Sequence, residues 1–213
     1  MGKSLFIAEK PSVAQEFAKA LKVTGPKKDG YIESQDTIVT WCVGHLVTMS
    51  YPEVYDMKYK KWSYDTLPFL PKEFLYEVIP AVSKQFNIVK GLLTREDVDT
   101  IYVCTDSGRE GEYIYRLVEQ LAGVKDKQRK RVWIDSQTEE EILRGVKEAK
   151  DLSEYDNLSD AAYLRAKEDY LMGINFSRLL TLKYGNAISR YLKTNYTVIS
   201  VGRVMTCVLG MVV

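Results

Sequence analysis

Apolar and polar positions follow two different periods along the chain, and each change of period marks a new element. The opening run SLFIA is continuously apolar and stops at Glu9, which predicts a short buried strand. In PSVAQEFAKAL, directly behind it, Val13, Phe17, Ala20 and Leu21 recur at helical intervals, and Ser12 with Gln15 has the spacing of a capping box. A turn-prone GPKKDG then leads into a second β-type run, TIVTWCVGHL. Residues 50–80 are rich in proline and tyrosine and keep no sustained period, which predicts a long ordered connection.

Strand and helix then alternate again. VDTIYVCT predicts a strand, and DSGREGEYIYRLVEQLAG a helix with Ile114, Leu117, Val118 and Leu121 on one stripe. After a basic connector, KDKQRKR, a third strand-helix unit follows: the run VWI predicts its strand, and TEEEILRGVKEA its helix, capped by Thr138 and Glu141. Repeated strand-helix units imply a parallel sheet with helices on its faces. From about Asp151 the β signal fades, and one long helical pattern, SDAAYLRAKEDYLMGINFSRLLTLKYG, takes over. The expected organisation is an α/β domain over residues 1–150, followed by a mainly helical, incomplete second domain over 151–213.

Composition adds three constraints. With 213 residues and 46% hydrophobic content, the chain can bury a core without a cofactor to hold it together. No stretch approaches a membrane span and the N-terminus lacks the pattern of a signal peptide, so the expectation is a cytoplasmic protein with no membrane partner. Nothing indicates an oligomer. Cys42, Cys104 and Cys207 lie far apart in apolar surroundings, which predicts reduced core residues and not a disulfide set or a zinc site.

Net charge is only +1, but it is unevenly spread. From Tyr163 onward seven basic residues face only Glu168 and Asp169, a balance of +5, which leaves about −4 on the first 162 residues. An acidic front joined to a basic back suits an enzyme that holds a metal in one part and grips a polyanion with the other.

The chemistry concentrates in CTDSGREGE, residues 104–112, which place Asp106, Glu110, Glu112, Arg109 and two glycines just behind a predicted strand. Ligands of open parallel sheets gather beyond the carboxyl ends of the strands. Glu9 ends one strand and Asp106 another, so on neighbouring strands the two carboxylates would share one edge with Glu110 and Glu112. Such a group repels itself unless a cation sits among it, and Mg2+ fits, because it takes oxygen ligands and needs only one or two protein carboxylates. Gly108 and Gly111 would let the backbone approach a phosphate, and Arg109 would donate to a phosphate oxygen. Acidic residues also favour the first turn of any helix, which accounts for Glu110 and Glu112 but not for Asp106, Arg109 and Glu9.

Five stretches in order, LFIAEKPSVAQ, VTWCVGHL, TDSGREGE, DYLMGINFSR and SVGRVMTCVLGMVV, resemble the landmarks of type IA DNA topoisomerases, the topoisomerase III branch most closely. The resemblance spans the whole chain. It implies a Toprim domain, a Rossmann-like parallel sheet with flanking helices, up to about residue 150, and beyond it the start of a helical DNA-binding domain. Position by position it implies that Glu9 is the catalytic glutamate beside the metal, that Lys10 stabilises charge on the phosphate, that Arg109 keeps its catalytic place, and that Glu9, Asp106 and Glu110 hold the metal. The family's third acidic position is Gly108 here, so Glu112 or a water is the expected substitute ligand. His45, Arg165, Ser177, Arg178 and Arg203 fall in landmarks that imply contacts to single-stranded DNA. The family's GRVQT reads GRVMT, and Met205 lacks the hydrogen bonds of a glutamine amide.

The implied reaction is strand cleavage through a 5′-phosphotyrosine, yet none of the 15 tyrosines stands in the family's active-site context. The chain is therefore expected to be the N-terminal portion of a longer enzyme, unable to cleave DNA alone. Two alternatives stay open: a Toprim nuclease or primase, and a catalytically silent Toprim module that only binds nucleic acid.

Overall fold

The computed structural model describes residues 2–213, which form two compact units. The first contains residues 2–48 and Tyr76–Ala162, the second Met49–Leu75 and Tyr163–Val213. Residues 49–75, most of the expected long connection, thus pack with the helical second half of the chain.

In chain order the elements are β1 (Lys3–Ala8), α1 (Pro11–Ala20), β2 (Lys27–Lys28), β3 (Tyr31–Glu33), β4 (Thr37–Trp41), β5 (Val47–Met49), α2 (Pro52–Tyr55), β6 (Tyr76–Val78), α3 (Ser83–Leu93), β7 (Val98–Cys104), α4 (Arg109–Ala122), β8 (Gln128–Arg131), α5 (Glu139–Lys147), β9 (Lys150–Asp151), α6 (Asp156–Leu192) and α7 (Arg203–Val212). Seven strands make one sheet in the order β2-β3-β4-β1-β7-β8-β9, and β5 and β6 form a separate pair. The four central strands are parallel and the outer ones antiparallel. This is the mostly parallel sheet that the strand-helix alternation implies, in the Rossmann-like form that the resemblance implies.

Parallel strands covered on both faces read as continuous apolar runs, and β1 and β7 do. On one face Phe6, Ala8, Val39, Trp41 and Cys104 pack with Val13 and Phe17 of α1 and Ile142 of α5. Leu5, Ile7, Ile38, Ile101 and Val103 alternate with them, fully buried, on the other face, where α3 and α4 run. Burial pushes the Cys42 thiol up to about 12, and it raises that of Cys104 as well. Cys207 is exposed on α7, which corrects its expected place in a core.

Two local expectations also need correction. The helix α1 starts at Pro11, with Lys10 as its N-cap and no side-chain cap, so the Ser12 and Gln15 spacing lies inside the helix; proline at the first helical position starts it early. The strand of the third strand-helix unit is Gln128–Arg131 and not VWI. Its four polar residues pair with β7 through main-chain bonds, which do not depend on side-chain polarity, and Val132 continues the pairing through one bond to Val103.

In the second unit, Asn175 of α6 closes both main-chain groups of Phe69: its Oδ1 accepts from Phe69 N at 2.6 Å and its Nδ2 donates to Phe69 O at 2.9 Å. Tyr170 donates to Ser50 O at 2.6 Å. These bonds tie the 49–75 segment to the long helix. Among the described residues no helix is long and apolar enough to cross a membrane.

Candidate active site

The register of the central strands decides where the acidic residues meet. Ala8 of β1 lies directly opposite Cys104 of β7, so Glu9 and the Thr105-Asp106 pair leave the sheet side by side at its carboxyl edge. β4 lies on the far side of β1, so the chain has reversed its direction of travel across the sheet at this point, where open α/β sheets form their ligand crevice. Glu9 is buried, and its Oε2 accepts a bond of 3.2 Å from Asp106 N. Lys10 Nζ stands 3.8 Å from Glu9 Oε1 and 3.9 Å from Asp106 Oδ2, so one ammonium faces both carboxylates. A pocket of about 340 Å³ opens beside Asp106, lined also by Ser107 and by Asp135, Ser136 and Gln137 of the loop behind β8.

Arg109 and Glu110 begin α4 and are exposed. Glu110 Oε1 meets His45 Nε2 at 2.5 Å, so the only histidine of the chain is held against the acidic motif. Glu112 does not join them. Residues two apart on a helix point about 200° apart, and Glu112 is fully buried with Oε1 on Arg116 Nε and Oε2 on Arg131 Nε, both at 2.9 Å. That corrects the expectation of Glu112 as a substitute ligand. Among the described residues no group of three or more His, Cys, Asp or Glu side chains is placed to hold a metal ion.

The glycines answer different needs. Gly108 is extended, with φ 172°, and a Cβ there would meet nothing within 4 Å. A Cβ on Gly111 would come within 2.1 Å of Asp106 O, so the helix can pass under the Asp106 turn only as glycine.

A model of the Toprim domain matches residues 4–136, the stretch that carries this sheet and its acidic edge. The chain belongs to the Toprim family. A second model, that of DNA topoisomerase, matches residues 153–213, behind the Toprim match. The DNA topoisomerase 3 of Staphylococcus haemolyticus (strain JCSC1435) is 45% identical over 187 residues, which are 88% of this chain and 26% of the relative. That of Bacillus anthracis is 46% identical over 184 residues, 86% of this chain and 25% of the relative. The chain spans about a quarter of the length of these relatives. Type IA topoisomerases of this branch are thus its homologues, and membership of the Toprim family points to use of a divalent metal.

The remaining sequence candidates lie in the second unit. Arg178 is buried, its guanidinium over the Trp62 ring at 5.3 Å and donating to Tyr59 O at 3.0 Å; burial pushes its pKa below the usual arginine value. Ser177 Oγ accepts from Val201 N at 2.8 Å. Arg203 meets Asp169 at 2.9 Å, and Arg165 stands 4.0 Å from the same carboxylate. One participant at the Toprim edge has no signal in the sequence: Arg131, an arginine inside a basic stretch, is buried behind Asp106.

Proposed function

We propose that this chain is the cation-binding part of a type IA DNA topoisomerase, which breaks one DNA strand, passes another through and reseals the break. The observation that carries this is the pairing of Glu9 and Asp106 at adjacent parallel strand tips with Lys10 facing both. In the cleavage step a tyrosine hydroxyl gives up its proton to water as its oxygen bonds to phosphorus, the bond to the 3′ oxygen breaks, and that oxygen takes up a proton. Glu9, buried at the strand tip beside Asp106, is the group to supply that proton, and Lys10 the one to stabilise charge on the phosphate. The tyrosine would come from the part of the relatives that this chain does not span.

Glu9 and Asp106 suit Mg2+, which keeps several waters and is bound by one or two carboxylates together with substrate phosphates. When bound, the ion would stabilise negative charge on the phosphodiester. Glu110, held on His45 at the start of α4, would face the same ion, and Arg109 would donate to a phosphate oxygen. Single-stranded DNA is the proposed partner. Support comes from the second unit, where no acidic residue follows Asp169 and Arg165, Ser177, Arg178 and Arg203 lie along or beside α6. The cytoplasm is the proposed location.

Calorimetric titration of the chain with Mg2+ tests the metal half of this reading. Binding is expected, and Asp106→Asn is expected to weaken it at least tenfold. A chain that binds single-stranded DNA but shows no carboxylate-dependent ion binding is the silent module instead, a reading favoured by Gly108 at the third acidic position.

A further inference from the structure

Asp106 leaves the sheet with its main chain held on both sides. Its N–H donates to Glu9, and its C=O accepts from Arg131 Nη2 at 2.7 Å. Arg131 Nη1 also donates to the carbonyls of Thr105 at 2.7 Å, Val103 at 3.1 Å and Val132 at 3.2 Å, while Nε donates to Glu112. One guanidinium therefore gathers three carbonyls from the last turn of β7 and the segment behind it. The Arg131 and Glu112 side chains are both 0% exposed.

Full burial of such a pair contributes little net stability, because removing two ions from water offsets their attraction. What the arrangement supplies is direction. A planar fork divided among one carboxylate and four carbonyls is a task for arginine, and lysine cannot match it. Gly111 packs against the same turn without slack.

We propose that Arg131, oriented by Glu112, is a positioning residue for the cation site: by fixing the Asp106 main chain against Glu9 it sets how the two carboxylates face a divalent ion. The inference rests on the proposed role of Glu9 and Asp106. Groups that orient metal-binding side chains typically cost about 10- to 100-fold in affinity when altered.

Arg131→Lys keeps the charge and loses the fork. In the 213-residue chain it is expected to weaken Mn2+ binding by about 10- to 100-fold, and to speed hydrogen exchange at the Asp106 amide while exchange in the centre of β1 stays slow. Glu112→Gln should move both readouts in the same direction. Glu33→Gln, remote from the site, should lower the melting temperature without touching either, which separates positioning from stability. If Arg131→Lys does not fold, the apolar double variant Arg131→Met/Glu112→Leu preserves the packed volume and should show the same losses. A folded variant of either kind with wild-type Mn2+ affinity and wild-type Asp106 exchange overturns the proposal. If the wild-type chain binds no Mn2+, the reading of the cation site fails on its own, and Asp106 exchange alone decides: acceleration supports positioning by Arg131, no change refutes it.

Discussion

Gly108 and Gly111 stand three residues apart and should respond to substitution in opposite ways. Open space and an extended backbone at Gly108 admit a side chain, so Gly108→Asp is expected to fold normally and to tighten Mg2+ binding by adding a third carboxylate. Gly111→Ala forces a methyl group against Asp106 O and should cost about 1–3 kcal/mol of stability while weakening the same ion. Thermal melts and titrations of both variants check the pair; equal behaviour would remove the distinction. Much of the site was legible at this scale, because strand ends are readable and Glu9 and Asp106 each close an apolar run. Glu112 is not legible in this way, because helical geometry turns it away from Glu110, and nearness in sequence is not nearness in space. Arg131 left no trace, since a buried arginine in a basic stretch looks like any solvated one.

Among the elements, helices with a clear stripe and strands with continuous apolar character could be read directly. The strand β8 could not: its residues are all polar, Lys130 lies over the Tyr102 ring at 5.9 Å, and Arg129 pairs with Glu119. Pairing, not hydrophobicity, recruits it to the sheet. The apolar VWI run instead supplies Val132 and Ile134 beneath α5, where Gly145 lets the helix approach so closely that a Cβ would lie 2.3 Å from Ile134 Cγ2. Gly145→Val should overpack this contact and destabilise the chain by about 1–3 kcal/mol or more, seen as a lower midpoint in urea; an unchanged midpoint would show that α5 can shift freely.

At the scale of the molecule, charge is used differently at the two ends of the first unit's sheet. At the edge opposite Glu9, Glu33 of β3 is gripped by Arg95, Lys28 and Lys3 at 2.7–2.8 Å. The Arg95 guanidinium is the chief cause that its carboxyl is held at about 2 against an ordinary 4.5; burial opposes the shift, and the two lysines reinforce it. A carboxyl whose pKa is lower in the folded state stabilises the fold above the unfolded value. That contribution should therefore be whole above pH 4.5 and vanish as pH falls toward 2. Glu33→Gln is expected to cost about 1–3 kcal/mol at neutral pH and to flatten the acid limb of a melting curve measured from pH 2 to 6; a parallel shift at every pH would contradict the assignment.

The second unit is assembled from stretches about a hundred residues apart, which no local period announces. Asn175 and Tyr170 make that junction through main-chain groups of Phe69 and Ser50.

The sealed thiol of Cys104 has a practical use. It is buried two residues before Asp106 on the face covered by α1 and α5, so an alkylating reagent is expected to reach it more slowly than an exposed thiol. In a variant with Cys42 replaced by alanine, exposed Cys207 is expected to be labelled first, and the lag before Cys104 reacts measures how often the strand tips breathe.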